Sequence, residues 1–72
     1  MKYYVIEITT YLDAETKDRY AVSAYDNLDG ANSMFHTKMA AALKETSGVK
    51  TEMCMVIDAH GSTQRYEYWE KQ

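Results

Sequence analysis

Apolar and polar residues follow two different periods along this chain, and its middle stretch has the period of a helix. Between residues 26 and 48, six mostly apolar residues recur at steps of three and four, which places them in one stripe along the side of a helix. These positions are Leu28, Ala31, Phe35, Met39, Ala42 and Thr46. A side-chain oxygen of Asp26 or Asn27 can cap the first turn, and Gly48 suits the end of a helix. We therefore predict one helix in this stretch.

Four runs rich in β-branched and aromatic residues flank the helix and predict strands. They occupy residues 2–12 and 19–25 before the helix and residues 49–59 and 62–69 after it. A helix of about 19 residues spans about 28 Å, and a strand of about eight residues spans about 26 Å. Because the lengths match, we predict an α+β fold, a two-layer ββαββ sandwich forming one domain over residues 1–72. The helix lies on one face of a four-stranded, mainly antiparallel sheet in the order 2-1-3-4.

Alternation within the strands predicts which residues form the core. In the first strand Ile6 and Ile8 share a face that is more apolar than the opposite one, so we expect this face to contact the helix. The same reasoning applied to the other elements gives the expected core anchors. They are Ile6, Ile8, Leu28, Phe35, Met39, Met53, Met55 and Tyr66.

The connections predict the register of the two hairpins. A loop at residues 14–16 pairs Ile8 with Val22 and turns the even-numbered residues of the second strand inward, whereas one more loop residue turns the odd-numbered ones inward. His60 and Gly61 suit a two-residue turn, because glycine accepts the positive φ that such turns need. The second register pairs Ile57 with Gln64, Met55 with Tyr66, Met53 with Tyr68, Val56 with Arg65, Cys54 with Glu67 and Glu52 with Trp69.

One helix covers one side of the sheet, so the other side is expected to be open. On this division of faces the candidate interface residues are Tyr3, Val5, Tyr11, Val56 and Trp69. A mixed aromatic and polar surface is typical of protein interfaces, which favours a homodimer or another protein partner. RNA-binding sheets also expose aromatic residues, but four acidic residues on the same predicted face would repel phosphates. We therefore expect no direct binding of nucleic acid.

Charge and cysteine content narrow the class of protein. Eight basic and eleven acidic residues give a formal net charge of −3, and the charges are scattered without a basic stripe. Cys54 is the only cysteine, which excludes an internal disulfide and fits a reducing compartment. No apolar run approaches the roughly 18 residues of a membrane span. We expect a cytoplasmic protein that does not contact membranes.

Three residues are candidates for chemistry, and none has a suitable neighbourhood in the sequence. His36 has no cysteine or acidic residue one turn further along the helix, and His60 has only Asp58 two residues before it. Zinc needs three or four ligands at defined spacing. Carboxylates near Cys54 would raise the pKa of its thiol, which opposes reactivity. We therefore predict a protein that is not an enzyme and uses no cofactor or metal; a catalytic or metal-binding role for these three residues is the least favoured alternative.

Two stretches of the chain carry a resemblance to a known group of proteins. The opening residues 1–8, MKYYVIEI, resemble the start of short uncharacterised proteins encoded in phages and prophages of Gram-positive gut bacteria. Residues 31–36, ANSMFH, followed by Ala40, Ala41 and Ala42, are similar to their helix, in which an aromatic–histidine pair precedes an alanine-rich run. The resemblance implies an accessory protein of a phage or mobile element, and it assigns no activity to any residue.

Two hypotheses of function follow. The first is a small non-catalytic protein that acts by protein–protein contact as a homo-oligomer. The alternative is an acidic inhibitor that mimics nucleic acid and blocks a nucleic-acid-binding factor of the host. Carboxylates aligned at phosphate-like spacing would favour the mimic, and scattered carboxylates favour the interaction protein.

Overall fold

Four strands and one helix make up residues 1–44 and 48–71, which are the residues that this computed structural model describes. In chain order they are strands β1 (Tyr3–Tyr11) and β2 (Arg19–Tyr25), helix α1 (Leu28–Lys44), and strands β3 (Val49–Asp58) and β4 (Thr63–Glu70). The strands form one antiparallel sheet in the order β2-β1-β3-β4. The predicted ββαββ fold and its strand order are confirmed.

Helix α1 begins and packs as its sequence predicts. The Oδ1 atom of Asn27 accepts a hydrogen bond of 2.7 Å from the backbone N–H of Gly30, so Asn27 is the residue that caps the first turn. The buried residues of the helix are Ala31, Phe35, Met39 and Ala42, and Leu28 is partly buried against the same core. The predicted stripe is therefore confirmed up to Ala42, and Thr46 lies outside the described residues.

The helix covers the face of the sheet opposite to the one that we predicted. Phe35 and Met39 lie in a buried cluster with Val5, Cys54 and Val56, which come from the centre of the sheet. All five expected core anchors in the strands therefore lie on the uncovered face, and the prediction is wrong for them. They are Ile6, Ile8, Met53 and Met55, and Tyr66 shares that face and is largely exposed. The anchors Leu28, Phe35 and Met39 are confirmed.

The candidate interface residues of the sequence analysis consequently lie beneath the helix. Val5 and Val56 are completely buried, and Tyr3 and Trp69 are partly buried against the core cluster. Tyr11, at the end of β1, is half-buried. This set of residues does not form the open surface that we expected.

The connection between β2 and β3 explains why the more apolar face is left open. Both strands run antiparallel to β1, so they are parallel to each other, and β2, α1 and β3 together form a crossover unit. Such crossovers are right-handed in about 98% of cases, because a right-twisted strand feeding a helix packs back onto the sheet only that way. This preference, together with which residues of β1 hydrogen-bond to β2, restricts the face that the helix can cover, whatever the relative hydrophobicity of the two faces.

The register of the first hairpin is shifted by two residues from the predicted one. Ile6 pairs with Val22 and Ile8 with Tyr20, because a turn between Asp13 and Thr16 adds residues to the connection. A shift of two residues preserves alternation. The even-numbered residues of β2 therefore do share a face with Ile6 and Ile8, as predicted, but this face is the open one.

The second hairpin has nearly the predicted register. Five of the six predicted pairs are present, and only Ile57 differs, pairing with Thr63. Gly61 has a φ of 86° and donates its N–H to the carbonyl oxygen of Asp58 at 3.0 Å. This makes a turn one residue longer than predicted, and a register shift between Val56 and Ile57 restores the pairing.

The position of Phe35 at the centre of the core yields a prediction. Replacing Phe35 with alanine should lower the free energy of unfolding by about 3–5 kcal/mol, since the large buried ring leaves a cavity. Urea denaturation followed by circular dichroism measures this. Leu43→Ala is the control, because Leu43 is an exposed apolar residue of the same helix. Equal unfolding midpoints for the two variants would contradict the packing of α1 described above.

Candidate functional site

The face of the sheet that α1 leaves uncovered is apolar and aromatic. Its centre is formed by half-buried residues of β1 and β3, and its sides by exposed residues of the outer strands. Tyr20 and Val22 on β2 are 70% and 67% exposed, and Tyr66 on β4 is 60% exposed. The three central rows across the sheet are Ala24, Tyr4 and Ile57; then Val22, Ile6, Met55 and Tyr66; then Tyr20, Ile8, Met53 and Tyr68. We call these residues the open face.

No residue in these three rows carries a charge. Three rows about 6.6 Å apart on four strands about 4.8 Å apart give a projected area of roughly 380 Å². An apolar patch of this size lies in the range at which exposed patches on soluble proteins usually mark contact sites. The tyrosines could stack with bases, but the rows include no lysine or arginine to contact phosphates. The composition of the open face is therefore that of an interface between proteins.

The covered face carries a buried polar cluster below the second half of α1. Glu7 and Thr9 on β1 and Glu52 on β3 are all buried, and Glu52 has no exposed surface. The Oε1 atom of Glu7 lies 3.1 Å from the Nζ atom of Lys38 and 3.5 Å from the Nη1 atom of Arg19. The hydroxyl of Thr9 donates to Oε1 of Glu52. Three strands and the helix therefore contribute to this one cluster.

One oxygen of the cluster has no partner from the described residues. The Oε2 atom of Glu52 is buried without a hydrogen bond. Burial, and then the hydrogen bond with Glu7, raise the pKa of Glu52 to about 7. The hydrogen bond between the carboxyl groups of Glu7 and Glu52 requires a proton between them, because two ionised carboxylates have no donor. At mildly acidic pH the pair therefore holds one proton and one negative charge.

The pKa of Glu7 is shifted in the opposite direction, below its ordinary value. Burial alone would raise it, but hydrogen bonds from Glu52 and Lys38 and the charges of Lys38 and Arg19 outweigh burial and hold it below the ordinary value. Opposite shifts are expected when two carboxyl groups share one proton and the cations contact only one of them. Glu7 is the ionised member of the pair and Glu52 the protonated one.

A cleft of about 240 Å³, lined on its open side by the exposed Arg19 and Ala41, lies beside this pair, between α1 and the sheet. One wall is the polar cluster, and the other is formed by Ala41, Ala42 and Val49. The small alanine side chains leave this space because they do not reach the sheet. The second half of the helix thus packs Met39 into the apolar core, while Lys38 contacts the polar cluster and Ala41 and Ala42 line the cleft.

The candidates for chemistry occupy separate places. Cys54 is buried, and burial, followed by the charges of Glu7 and Glu52, raises the pKa of its thiol to about 11, so it is protonated at neutral pH. The carboxylate of Asp58 accepts hydrogen bonds from the backbone N–H groups of His60 at 2.8 Å and Ser62 at 3.0 Å within the hairpin turn. His36 is exposed with its ring against Phe35. Among the residues that the structure describes, no three histidine, cysteine, aspartate or glutamate side chains converge on a point where a metal could bind.

The carboxyl pair was not predicted, for a specific reason. Alternation correctly places Glu7 and Glu52 on one face, but that face was expected to be open and solvated. The missing information was the register between β1 and β3, which pairs Thr9 with Glu52 and Glu7 with Cys54. The signal for the pair that the sequence did contain was two acidic residues on the same face of two strands predicted to be neighbours.

Comparison of the chain with protein-family models, with curated proteins and with solved structures gave no match. In the described part of the chain the helix is too short and too polar to cross a membrane. A function therefore has to be inferred from the open face and the buried cluster themselves.

The carboxyl pair predicts how stability depends on pH. The pKa of Glu52 is raised from an ordinary 4.5 to about 7. Between these values the native protein binds more protons than the unfolded chain, so the free energy of unfolding falls as pH rises. At about 1.4 kcal/mol per pKa unit, the loss between pH 5 and 8 is about 3 kcal/mol. Glu7, with its lowered pKa, loses its contribution only as pH falls below about 4.5.

The variant Glu52→Gln tests this assignment, because an amide can accept from Thr9 and donate to Glu7 without titrating. Denaturation at several pH values should give a flat profile for this variant, and it should be more stable than the wild type at pH 8. Glu67→Gln, which changes an exposed carboxyl opposite Cys54, should keep the wild-type profile. A wild-type stability that rises from pH 5 to 8 would show that Glu52 is not the protonated group.

Proposed function

We propose that this chain is a small non-catalytic protein that acts by protein–protein contact as a homo-oligomer. The observation that supports this most directly is the open face, which is apolar, aromatic and uncharged in its three central rows. The accessory role implied by the resemblance to phage-encoded proteins belongs to this proposal. So does a cytoplasmic location, which the single free cysteine favours.

Charge favours a second copy of the chain as the occupant of the open face. Each chain carries a formal net charge of −3, so two copies repel each other through most of their surfaces. The open face contributes nothing to this repulsion, because its rows contain no charged residue. In a two-fold symmetric dimer the same patch meets itself. An uncharged apolar patch can do this without placing like charges together.

The size of the open face also fits a dimer. Two copies packed over the whole face of the sheet, including the row of Thr10, Thr51 and Glu70, would bury roughly 1,000 Å² in total on the projected area, before side-chain relief is counted, which reaches the lower bound for a specific interface. The half-buried residues Ile6, Ile8, Met53 and Met55 would interdigitate with their symmetry mates. The exposed tyrosines at the sides supply the aromatic anchors that often dominate binding energy. The resulting assembly has four layers, with the two helices outside and the two sheets inside.

Four acidic residues bear on the alternative of a nucleic-acid mimic. Glu7 and Glu52 are buried, the carboxylate of Asp58 is bound within its hairpin turn, and Asp26 forms an ion pair with Lys2. Glu7 and Glu52 are therefore not presented to a partner, Asp58 is held within its turn, and Asp26 remains exposed but is paired with Lys2. The observations favour the interaction protein over the mimic.

The proposal predicts a dimer that charged residues on the open face disrupt. Sedimentation velocity of the wild type at micromolar to millimolar concentration should give the mass of a dimer. The double variant Val22→Lys with Tyr66→Lys should be monomeric, because a symmetric interface would bury all four ammonium groups. Both positions are largely exposed in the single chain, so circular dichroism should remain that of the wild type.

Leu43→Lys is the matched control, since Leu43 is an exposed apolar residue on the helix, away from the open face. This variant should keep the dimeric mass. A wild type that remains monomeric over the whole concentration range would refute self-association. A dimer that both lysine variants preserve would refute the open face as its interface.

A further inference from the structure

We propose that the cleft between α1 and the sheet binds a small monocarboxylic acid with an apolar body, whose carboxylate is held by Arg19 and Lys38. The cleft lies on the covered side of the sheet, away from the open face. The proposal therefore does not depend on the oligomeric function proposed above. It stands on the two cations that line the cleft, on the apolar wall opposite them and on the size of the space between.

The two cations of the cleft retain donors for a ligand. Lys38 on α1 and Arg19 on β2 contact the same oxygen of Glu7, at 3.1 Å and 3.5 Å. A guanidinium has five N–H donors, and 57% of the Arg19 side chain is exposed on the open side of the cleft. Its planar fork of N–H groups matches the two oxygens of a carboxylate. Arg19 can therefore bind a second carboxylate that enters from solvent.

The balance of charge in the cleft favours a ligand with a single negative charge. Glu7 is ionised and Glu52 is protonated at mildly acidic pH, so one negative charge faces the two positive charges of Arg19 and Lys38. One positive charge is left in excess, although the whole chain has a formal net charge of −3. A monocarboxylate neutralises this excess. A doubly charged phosphate would exceed it, next to Glu7 and to the partly negative C-terminal end of α1.

The wall opposite the cations accepts an apolar body. Ala41, Ala42 and Val49 present methyl groups, and Tyr11 adds a half-buried aromatic ring. The volume of about 240 Å³ equals that of roughly eight water molecules at about 30 Å³ each, which is room for about eight to ten non-hydrogen atoms. A short aliphatic acid or a single-ring aromatic acid has this size, whereas a nucleotide would extend far out of the cleft.

The affinity of this site should depend on pH, because Glu52 lines the cleft and titrates. Ionisable groups surround it from each neighbouring element: Glu7 on β1, Arg19 on β2, Lys38 on α1, the protonated thiol of Cys54 on β3, and on β4 the exposed Glu67, opposite Cys54. When Glu52 loses its proton, with a pKa of about 7, the second negative charge cancels the positive excess. A carboxylate should therefore bind more weakly at pH 8 than at pH 6.

Three probes of the same planar shape test the class of ligand on the intact chain. Benzoate is an anion, benzamide is neutral and benzamidine is a cation. In NMR titrations at pH 6, followed by the amide signals of Ala41, Ala42 and Val49, benzoate should bind about tenfold more tightly than benzamide, because its hydrogen bonds are charge-assisted. Benzamidine should bind least. Tighter binding of benzamidine than of benzoate, or no response to benzoate at millimolar concentration, would overturn the proposal.

Arg19→Gln should lower the affinity for benzoate to that for benzamide. The variant should fold, because the side chain of Arg19 is largely exposed and such ion pairs contribute little to stability. Arg65→Gln is the matched control, since it removes the same charge from an exposed arginine of β4 that does not line the cleft. This variant should bind benzoate like the wild type. Equal benzoate affinity of Arg19→Gln and wild type, or wild-type affinity that rises from pH 6 to 8, would contradict the proposed site.

Competition distinguishes a small acid from other sources of an anion. Inorganic phosphate offers a second kind of anion, and the C-terminus of an acetylated tripeptide offers the same carboxylate on a longer chain. Each should displace benzoate only at a higher concentration than benzoate itself needs, because of its charge or its size. Tighter binding of phosphate or of the tripeptide than of benzoate would overturn the assignment of the cleft to a small monocarboxylic acid.

Discussion

One helix has to serve a sheet that has apolar residues on both faces, and the crossover from β2 through α1 to β3 decides which face it covers. The two strands are parallel and separated by β1, so the helix must pass over one side of the sheet. The handedness of such crossovers restricts that choice. The face that remains open is the one with Ile6, Ile8, Met53 and Met55 at its centre. The open apolar surface is therefore a consequence of chain topology.

The same constraint brings acidic residues into the interior. Glu7 and Glu52 alternate with the apolar residues of the open face, so any arrangement that exposes the latter buries the former. The protein accommodates them with one shared proton, two cations and a threonine hydroxyl. Replacing buried ionic groups with apolar residues is often neutral or stabilising in other proteins. Stability alone thus gives no reason for the pair.

The two faces of the sheet differ in their chemistry. The open face contains uncharged side chains suited to another protein surface, and the covered face holds the titrating groups beside a cleft under the helix. The backbone of β1 and β3 is common to both, since Ile8 lies between Glu7 and Thr9, and Met53 follows Glu52. The two strands keep one antiparallel register from the pair Tyr3 and Asp58 to the pair Thr10 and Thr51, so both surfaces are built on the same regular part of the sheet.

Local sequence determined the elements, the helix stripe and most of the second hairpin, because each depends on residues close together in the chain. Asn27 and the stripe from Leu28 to Ala42 specify the helix by capping and period, and alternation correctly groups Glu7 with Val5 and Ile6 with Ile8. Only the tertiary structure decided which group faces the helix. That choice depends on crossover handedness and on which residues of β1 hydrogen-bond to β2, and hydrophobicity does not report either one. The pairing of Thr9 with Glu52, 43 residues apart, was equally out of reach, because no turn connects β1 to β3 and fixes their register.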